Sequence, residues 1–163
     1  MVFDNIDRLL FSFFTRFHCP DCKSHQQASK KFDLWKLPPV LTIQLKRFGT
    51  QRYMFSSRRK VKTKIDFPME NLKLDEFVTG EIDRKNPPTY SLIGVSNHMG
   101  EMGFGHYTAY CRSVRDNSWY CYDDSCVRKV SESEVCSPSA YVLFYCQTKL
   151  WEEWLEKGRN GID

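Results

Sequence analysis

The stretch Ser96-Asn97-His98-Met99-Gly100-Glu101-Met102-Gly103-Phe104-Gly105-His106-Tyr107-Thr108-Ala109-Tyr110-Cys111 organises the interpretation of this chain. Three glycines precede His106, and glycine permits positive φ angles and close approach of backbone segments. From His106 onwards the residues alternate as they do in a strand. The sequence therefore predicts a glycine loop that delivers His106 to the start of a strand over residues 106–115.

A second strand is predicted over residues 118–123, and it ends at a pair of carboxylates, Asp123 and Asp124. Asp116-Asn117 is a hairpin turn signal between the two strands. We therefore expect His106 and Asp123 at facing ends of adjacent antiparallel strands. An aspartate bonded to Nδ1 would fix the imidazole tautomer and leave Nε2 free to take a proton. This pair is predicted to be an oriented general base, against the alternative that a lone strand histidine is structural.

A general base of this kind needs a nucleophile, and cysteine is the candidate in a reducing compartment. The first 18 residues do not fit a secretory signal, so cytoplasm or nucleus is the expected location. A catalytic cysteine is expected at a helix start, where backbone N–H groups can stabilise an oxyanion. None of the seven cysteines has this setting: Cys19, Cys22, Cys111, Cys121, Cys126, Cys136 and Cys146. The residues alone indicate a base and its orienting partner without a nucleophile.

Cys19-Pro20-Asp21-Cys22 is a CxxC knuckle with two thiols at zinc-ligand spacing. A structural zinc site needs four ligands, and the sequence holds no second CxxC motif. His25 is a possible third ligand. Half of a zinc site, completed by other residues, is favoured over a complete site within the chain. A redox CxxC is least favoured because no βαβ pattern surrounds it.

The length of 163 residues and the spacing of short alternating segments predict one α+β domain. A mostly antiparallel sheet with short flanking helices is expected. Residues 1–18 are predicted to form an amphipathic helix, because their apolar residues fall at helical spacing: Ile6, Leu9, Leu10, Phe13, Phe14 and Phe17. Strands are predicted over residues 28–37, 40–48, 60–65, 90–96, 106–115, 118–123, 126–130 and 140–147. A capped helical turn at residues 131–134 and a C-terminal helix with a frayed tail over 148–163 complete the prediction.

Charge and hydropathy argue against two classes of partner. The formal net charge of +4 is modest, so it is weak evidence for nucleic acid. The basic residues of the segment 52–64 are most simply interpreted as a solvated loop and edge strand. No stretch approaches the roughly 20 apolar residues that a membrane-spanning helix needs. Neither nucleic acid nor a membrane is expected as a partner.

The motifs along the chain, taken in order, resemble the C-terminal part of a ubiquitin-specific protease catalytic domain, from about Phe17 to Tyr145. The motifs that carry this resemblance are Cys19-Pro20-Asp21-Cys22-Lys23, Leu34-Trp35-Lys36-Leu37-Pro38-Pro39, Gln44-Leu45-Lys46-Arg47-Phe48, Asp66-Phe67-Pro68, Tyr90-Ser91-Leu92, Ser96-Asn97-His98, Gly105-His106-Tyr107-Thr108-Ala109-Tyr110, Trp119-Tyr120, Tyr122-Asp123-Asp124-Ser125 and Ala140-Tyr141-Val142-Leu143-Phe144-Tyr145.

This resemblance implies a papain-like thiol hydrolase with thumb, palm and fingers that cleaves at the C-terminal glycine of ubiquitin. Ubiquitin and ubiquitinated proteins would be its partners. His106 matches the catalytic histidine, Asp123 the third member of the triad and Asp124 an adjacent assisting acidic residue. The loop over the channel for the ubiquitin tail would comprise Gly100, Gly103, Phe104, Gly105 and Tyr107. Cys19 and Cys22 match one of the two zinc knuckles at the fingertips.

The sequence also departs from the family pattern. The cysteine box, an Asn-Thr-Cys motif at the start of a thumb helix, has no match, and neither do the thumb and the first zinc knuckle. The resemblance therefore predicts a partial deubiquitinase domain that does not hydrolyse isopeptide bonds by itself. The alternative is a catalytically inactive ubiquitin-binding or scaffold module derived from such a protease.

Overall fold

The computed structural model describes residues 13–30, 33–48, 60–101 and 103–161, and residues 13–17 and 27–30 by their backbone alone. The described chain is dominated by a seven-stranded sheet with the strand order β3-β9-β5-β6-β7-β8, and β4 lies beside β5. Its strands are β3 (Val40–Gln44), β4 (Leu72–Lys73), β5 (Thr89–Glu101), β6 (Phe104–Arg112), β7 (Trp119–Asp123), β8 (Cys126–Val130) and β9 (Ala140–Gln147). Neighbouring strands in this sheet are antiparallel.

A separate two-stranded sheet precedes it, formed by β1 (Phe13–Cys19) and β2 (Ser24–Lys30). The helical elements of the described chain are short. They are a 3-10 turn at Asp75–Phe77, α1 (Glu132–Val135) and α2 (Thr148–Arg159). The Ser131 backbone N–H donates to the Glu134 carboxylate at 3.1 Å, which confirms the predicted capped turn. The predicted α+β class with a mostly antiparallel sheet is therefore confirmed.

The core lies on and beside β5 and β9, the two central strands. Tyr90, Leu92 and Tyr145 are fully buried in it. The Tyr145 hydroxyl donates to the Pro68 carbonyl at 2.8 Å, so this buried phenol is satisfied. The helix α2 packs Trp151 and Leu155 in a second cluster around Cys146 of β9. Within the described residues, no helix combines the length and the apolar character needed to cross a membrane.

The predicted helix over residues 1–18 is wrong for residues 13–18, because these residues form β1. They pair with β2 across the CxxC turn, from Phe13↔Lys30 to Cys19↔Ser24. The hairpin provides backbone hydrogen-bond partners along β1, and this pairing overrides the helical spacing of the apolar residues in the sequence. Residues 1–12, with Ile6, Leu9 and Leu10, lie outside the described residues.

Several other strands also differ from the prediction. The strand expected over 90–96 extends to Glu101, and the strand expected over 106–115 begins at Phe104 and ends at Arg112. The strand expected over 28–37 is instead β2, which begins at Ser24 and ends at Lys30. The strand expected over 40–48 ends at Gln44. The strand expected over 60–65 is not formed. The Arg47 guanidinium donates hydrogen bonds to the Val61 and Thr63 carbonyls at 2.9 Å each, so these carbonyls are not available to pair with a neighbouring strand. Within residues 60–65, Lys60 alone forms a β-bridge, and its partner is Phe48.

Candidate active site

The β5–β6 hairpin carries the glycine-rich stretch. The loop predicted before His106 is wrong, since the two strands pair without interruption as far as Glu101↔Phe104. Gly100 and Gly103 have φ angles of 110° and 96°, which favour glycine. A Cβ at Gly105 would lie 2.4 Å from both His98 Nε2 and the Met99 carbonyl oxygen. The glycines therefore allow a tightly closed hairpin rather than an open loop.

His106 and Asp123 meet across β6 and β7, as the sequence predicted. His106 Nε2 lies 2.5 Å from Asp123 Oδ1. The nitrogen involved is Nε2, so the prediction that Asp123 bonds to Nδ1 is wrong. The pairing Ala109↔Tyr122 places Asp123 opposite Thr108, two residues from His106. The His106 ring must therefore reach diagonally across the two strands, and Nε2, the ring nitrogen farther from the backbone, makes the contact with Asp123. Nδ1 is the nitrogen left without this partner.

The electrostatics of this pair raise the proton affinity of the imidazole. The hydrogen bond to Asp123 raises the pKa of His106, the Asp123 and Asp124 charges raise it further, and partial desolvation opposes them. Asp124 occupies the β7–β8 turn with φ of 48°, a conformation that aspartate tolerates. The His106 and Asp123 side chains remain 44% and 51% exposed. The dyad is thus formed and open to solvent.

A cleft of about 360 Å³ runs along the sheet beside Asp123. It is lined by Asn97, Met99, Thr108, Tyr110, Cys121, Asp123, Cys126, Val127, Arg128 and Ser139. His106 shares its face of β6 with Thr108 and Tyr110, because alternate residues of a strand point the same way. The cleft and the dyad therefore occupy one face of the sheet.

The seven cysteines all lie in described segments, and no hydrogen bond joins any of them to His106. Cys121 and Cys126 line the cleft. Cys146 is buried, and desolvation raises the pKa of its thiol. The described residues thus bring together the predicted base, His106, and its orienting carboxylate, Asp123. None of the thiols is hydrogen-bonded to His106.

The residues predicted to contact a ubiquitin tail divide between the hairpin tip and an aromatic cluster. Phe104 is 73% exposed at the tip and Tyr107 is 58% exposed. The Tyr107 ring centroid lies 4.7 Å from that of His98. Phe48 and Tyr141 contact the other sides of the same imidazole. His98 therefore supports the strand that carries Tyr107 and His106.

Our sequence interpretation gave His98 no role. The residue is 4% exposed, its backbone N–H donates to Ser139 O at 2.9 Å, and its carbonyl accepts a hydrogen bond from the Lys60 ammonium. Burial lowers the pKa of His98, and the Lys60 charge lowers it further. Strand alternation could have predicted the position of His98. Met99 is paired with His106, so the neighbouring residue His98 lies on the opposite face of the sheet from His106.

Cys19 and Cys22 lie at the end of the β1–β2 hairpin. The Cys22 N–H donates to Cys19 Sγ at 3.5 Å. This backbone hydrogen bond is the main cause that lowers the pKa of the Cys19 thiol. His25, the possible third ligand, pairs with His18 across the hairpin. Among the described residues, no third histidine, cysteine or carboxylate joins the two thiols at ligand distance. Two thiols are half of the four ligands that a structural zinc site requires.

Comparison with known proteins gives consistent results. The family model described as "Ubiquitin carboxyl-terminal hydrolase" matches residues 4–145. Ubiquitin carboxyl-terminal hydrolase 15 of Homo sapiens is 52% identical over 128 residues, which are 78% of this chain and 12% of that protein. Ubiquitin carboxyl-terminal hydrolase 4 of Mus musculus is 50% identical over 128 residues, again 78% of this chain and 13% of that protein. The chain therefore spans about an eighth of the length of these curated relatives.

Solved structures agree with the sequence relatives. The SAGA DUB module of Ubp8, Sgf11, Sus1 and Sgf73 bound to monoubiquitin has a TM-score of 0.65 and 35% identity, over 82% of this chain and 28% of that chain. A yeast SAGA DUB module with a mutant Sgf73 has a TM-score of 0.67 and 34% identity, over 84% of this chain and 30% of that chain. The resemblance deduced from the motifs is confirmed: the chain belongs to the ubiquitin carboxyl-terminal hydrolase family.

Proposed function

We propose that this chain supplies the histidine–aspartate part of a cysteine-type deubiquitinase. The reaction is hydrolysis of the isopeptide bond between the C-terminal glycine of ubiquitin and a substrate lysine, in the cytoplasm or nucleus. The observation that carries the proposal is the 2.5 Å contact between His106 Nε2 and Asp123 Oδ1, which leaves Nδ1 available. The names of the relatives agree with this reaction.

In the proposed reaction, His106 Nδ1 takes the proton of a cysteine thiol. The thiolate attacks the glycine carbonyl carbon, and the imidazolium then gives the proton to the departing lysine amine. Water, deprotonated by the same nitrogen, hydrolyses the thioester and regenerates the thiol. Each proton thus moves through Nδ1, while Nε2–H remains on Asp123.

Asp123 holds the ring in the tautomer that keeps Nδ1 unprotonated at rest. Its charge also stabilises the imidazolium that forms after the thiol is deprotonated. Asp124 adds a second negative charge beside the ring, which is consistent with its effect on the pKa of His106. Both carboxylates therefore favour proton acceptance by His106.

The nucleophilic cysteine is proposed to come from residues beyond this 163-residue chain. No cysteine of the chain hydrogen-bonds to His106. The chain also covers only 12–13% of the curated relatives and 28–30% of the structural ones. The cleft beside Asp123 provides an open face on which the nucleophile-bearing part can pack.

Ubiquitin is the proposed partner, and its C-terminal tail is proposed to lie along the β5–β6 hairpin. Gly100, Gly103 and Gly105 carry no side chains that would obstruct an extended peptide. Phe104 and Tyr107 offer exposed aromatic surface beside His106. One of the structural relatives was solved with monoubiquitin and another with ubiquitin aldehyde.

Cys19 and Cys22 are proposed to provide two of the four ligands of a structural zinc ion, with the other two from outside this sequence. The hydrogen bond from the Cys22 N–H to Cys19 Sγ supports the zinc assignment, because amide donors stabilise the thiolate form that binds zinc. Bound zinc would fix the turn between β1 and β2.

A chimera tests the proposed function. The 128 matched residues of human ubiquitin carboxyl-terminal hydrolase 15 would be replaced by the corresponding residues of this chain. We expect the chimera to cleave a ubiquitin–lysine conjugate, and H106A to reduce kcat by roughly 10²–10⁴-fold, the usual contribution of a general base. S125A, in the adjacent turn, is the control and should retain activity. A folded chimera without activity, or an active H106A chimera, would refute the proposal.

The lack of a thiol at His106 favours one alternative, a ubiquitin-binding module without catalysis. Titration of the 163-residue chain into isotope-labelled ubiquitin distinguishes the two functions. Saturable shifts on ubiquitin together with an inactive chimera would support the binding module. A ubiquitin probe with an electrophilic C-terminus should leave the isolated chain unlabelled under either function, and labelling would overturn the assignment of the nucleophile to another segment.

A further inference from the structure

The dyad and the adjacent turn place three metal-ligating side chains together. One ligand atom each from His106, Asp123 and Asp124 lies within 4.8 Å of the other two. Among the described residues this is the one such group of three histidine, cysteine or acidic side chains. We propose that these three residues form a binding site for Zn²⁺, and that the bound ion switches the base off.

The ligand set and its mobility fit this ion. Zinc accepts imidazole nitrogen and carboxylate oxygen at about 2.0–2.2 Å, so neighbouring ligand atoms of a tetrahedral site lie roughly 3.3–3.6 Å apart. The three ligand atoms already lie within 4.8 Å of one another. The 2.5 Å contact of His106 Nε2 with Asp123 Oδ1 must widen by about 1 Å to admit the ion, and both side chains are about half exposed and can rotate to allow this. The remaining coordination positions face solvent and can hold water, as in sites with three protein ligands.

The backbone holds the two acidic ligands beside the ring before any ion arrives. Asp123 is the last residue of β7, and its partner in the ladder is Cys126. Asp124 follows in a two-residue turn with φ of 48°. Both carboxylates offer an oxygen within 4.8 Å of the ligand nitrogen of His106. A divalent cation would relieve the proximity of these two negative charges.

The position of the proton explains why binding would inactivate the base. In the dyad, neutral His106 carries its proton on Nε2 and donates it to Asp123. Zinc bound through Nε2 needs the lone pair of that nitrogen, so the ring proton must lie on Nδ1. Neutral His106 loses no proton in this exchange, whereas the imidazolium form loses one to solvent. Nδ1, which the proposed function uses to deprotonate the thiol, is then already protonated.

The binding step does not depend on the proposed function, because it involves neither ubiquitin nor a thiol nucleophile. Its test is an NMR titration of the 163-residue chain with zinc chloride, observed through the ring nitrogens of His106. We expect saturable binding in which the proton moves from Nε2 to Nδ1. The signals of His106 distinguish this site from the thiols of Cys19 and Cys22, which the proposed function also assigns to zinc.

Two variants with the same change of charge complete the test. D124N keeps a residue that tolerates positive φ at the turn and removes one ligand. E132Q removes an exposed carboxylate at the start of α1, outside the cluster. We expect D124N to weaken zinc binding at His106 by at least about tenfold, and E132Q to leave it unchanged. Equal affinities for the two variants, or a His106 ring that keeps its proton on Nε2 at millimolar zinc, would overturn the proposal.

Discussion

Replacing Gly105 by alanine should separate the strands of the hairpin that carries His106. The added Cβ would lie 2.4 Å from the Met99 carbonyl oxygen and 2.4 Å from His98 Nε2. Contacts of a real Cβ essentially never fall below 3.0 Å, so the strands must part by about 0.6 Å, the difference between these distances. The His98 ring cannot easily move away, because it is buried among three aromatic side chains.

Overpacking of this kind typically costs about 1–3 kcal/mol in the free energy of unfolding. For a chain of this size, each kcal/mol corresponds to roughly 2–4 °C in Tm. G94A is the matched control in β5, since a Cβ there would meet its nearest neighbour at 3.5 Å and the φ angle is not in the left-handed region. We expect G94A to stay within about 1 kcal/mol of the parent chain.

Urea unfolding of the parent, G105A and G94A chains measures these differences, and an NMR titration of His106 reports on the site. Opening the hairpin should lengthen the contact of His106 with Asp123, so the raised pKa of His106 should fall in G105A and persist in G94A. Equal unfolding free energies for the two variants, with an unchanged His106 pKa, would refute the packing argument.

Three further predictions concern ionisable side chains. D123N removes the main cause of the raised pKa of His106, so NMR should find a lower pKa for His106 in the variant than in the parent. Because the folded pKa is raised, the contribution of His106 to the stabilisation by the dyad is complete below its unfolded pKa of about 6.5 and is lost as the pH rises through the folded value. The stability difference between the parent and D123N should therefore shrink as the pH is raised above about 6.5. Y145F leaves the partly buried Pro68 carbonyl without its donor and should cost about 1–3 kcal/mol in the free energy of unfolding measured in urea, whereas Y120F, at an exposed hydroxyl, should cost less. Cys19 and Cys136 are both half-buried, but hydrogen bonding lowers the pKa of the Cys19 thiol and burial raises the pKa of the Cys136 thiol. Brief alkylation near neutral pH, followed by mass spectrometry, should therefore find Cys19 modified before Cys136. The reverse order would contradict this assignment.

The parts of the fold that sequence reasoning predicted well are strands joined by short turns. Asp116-Asn117 marked the β6–β7 hairpin, and the structure has Asn117 at φ of 57° there. This hairpin brings His106 to Asp123, so the dyad itself was predictable from local signals. The choice between Nδ1 and Nε2 was not, because it depends on the diagonal offset of the two residues across the ladder.

Other errors arose where a long-range contact overrides a local pattern. Val61, Thr63 and Ile65 alternate as in a strand, but the Arg47 side chain occupies two of the backbone carbonyls in this segment. Gly100, Gly103 and Gly105 suggested an open loop, yet the absence of a side chain at Gly105 is what lets β5 and β6 close around His98. A sequence pattern does not contain these partners, since they come from distant segments.

The position of β9 has a consequence for how the chain folds during synthesis. The strands β5 to β8 form a continuous meander of neighbouring hairpins, whereas β9 inserts between β3 and β5 and pairs Val40 with Cys146. Contacts between neighbours form early, and pairing over long sequence separations is slow. The hairpins that bear His106 and Asp123 are therefore expected to form on the nascent chain before β9 leaves the ribosome. Until then the facing edges of β3 and β5 stay open, and this interval is when the chain is most exposed to aggregation.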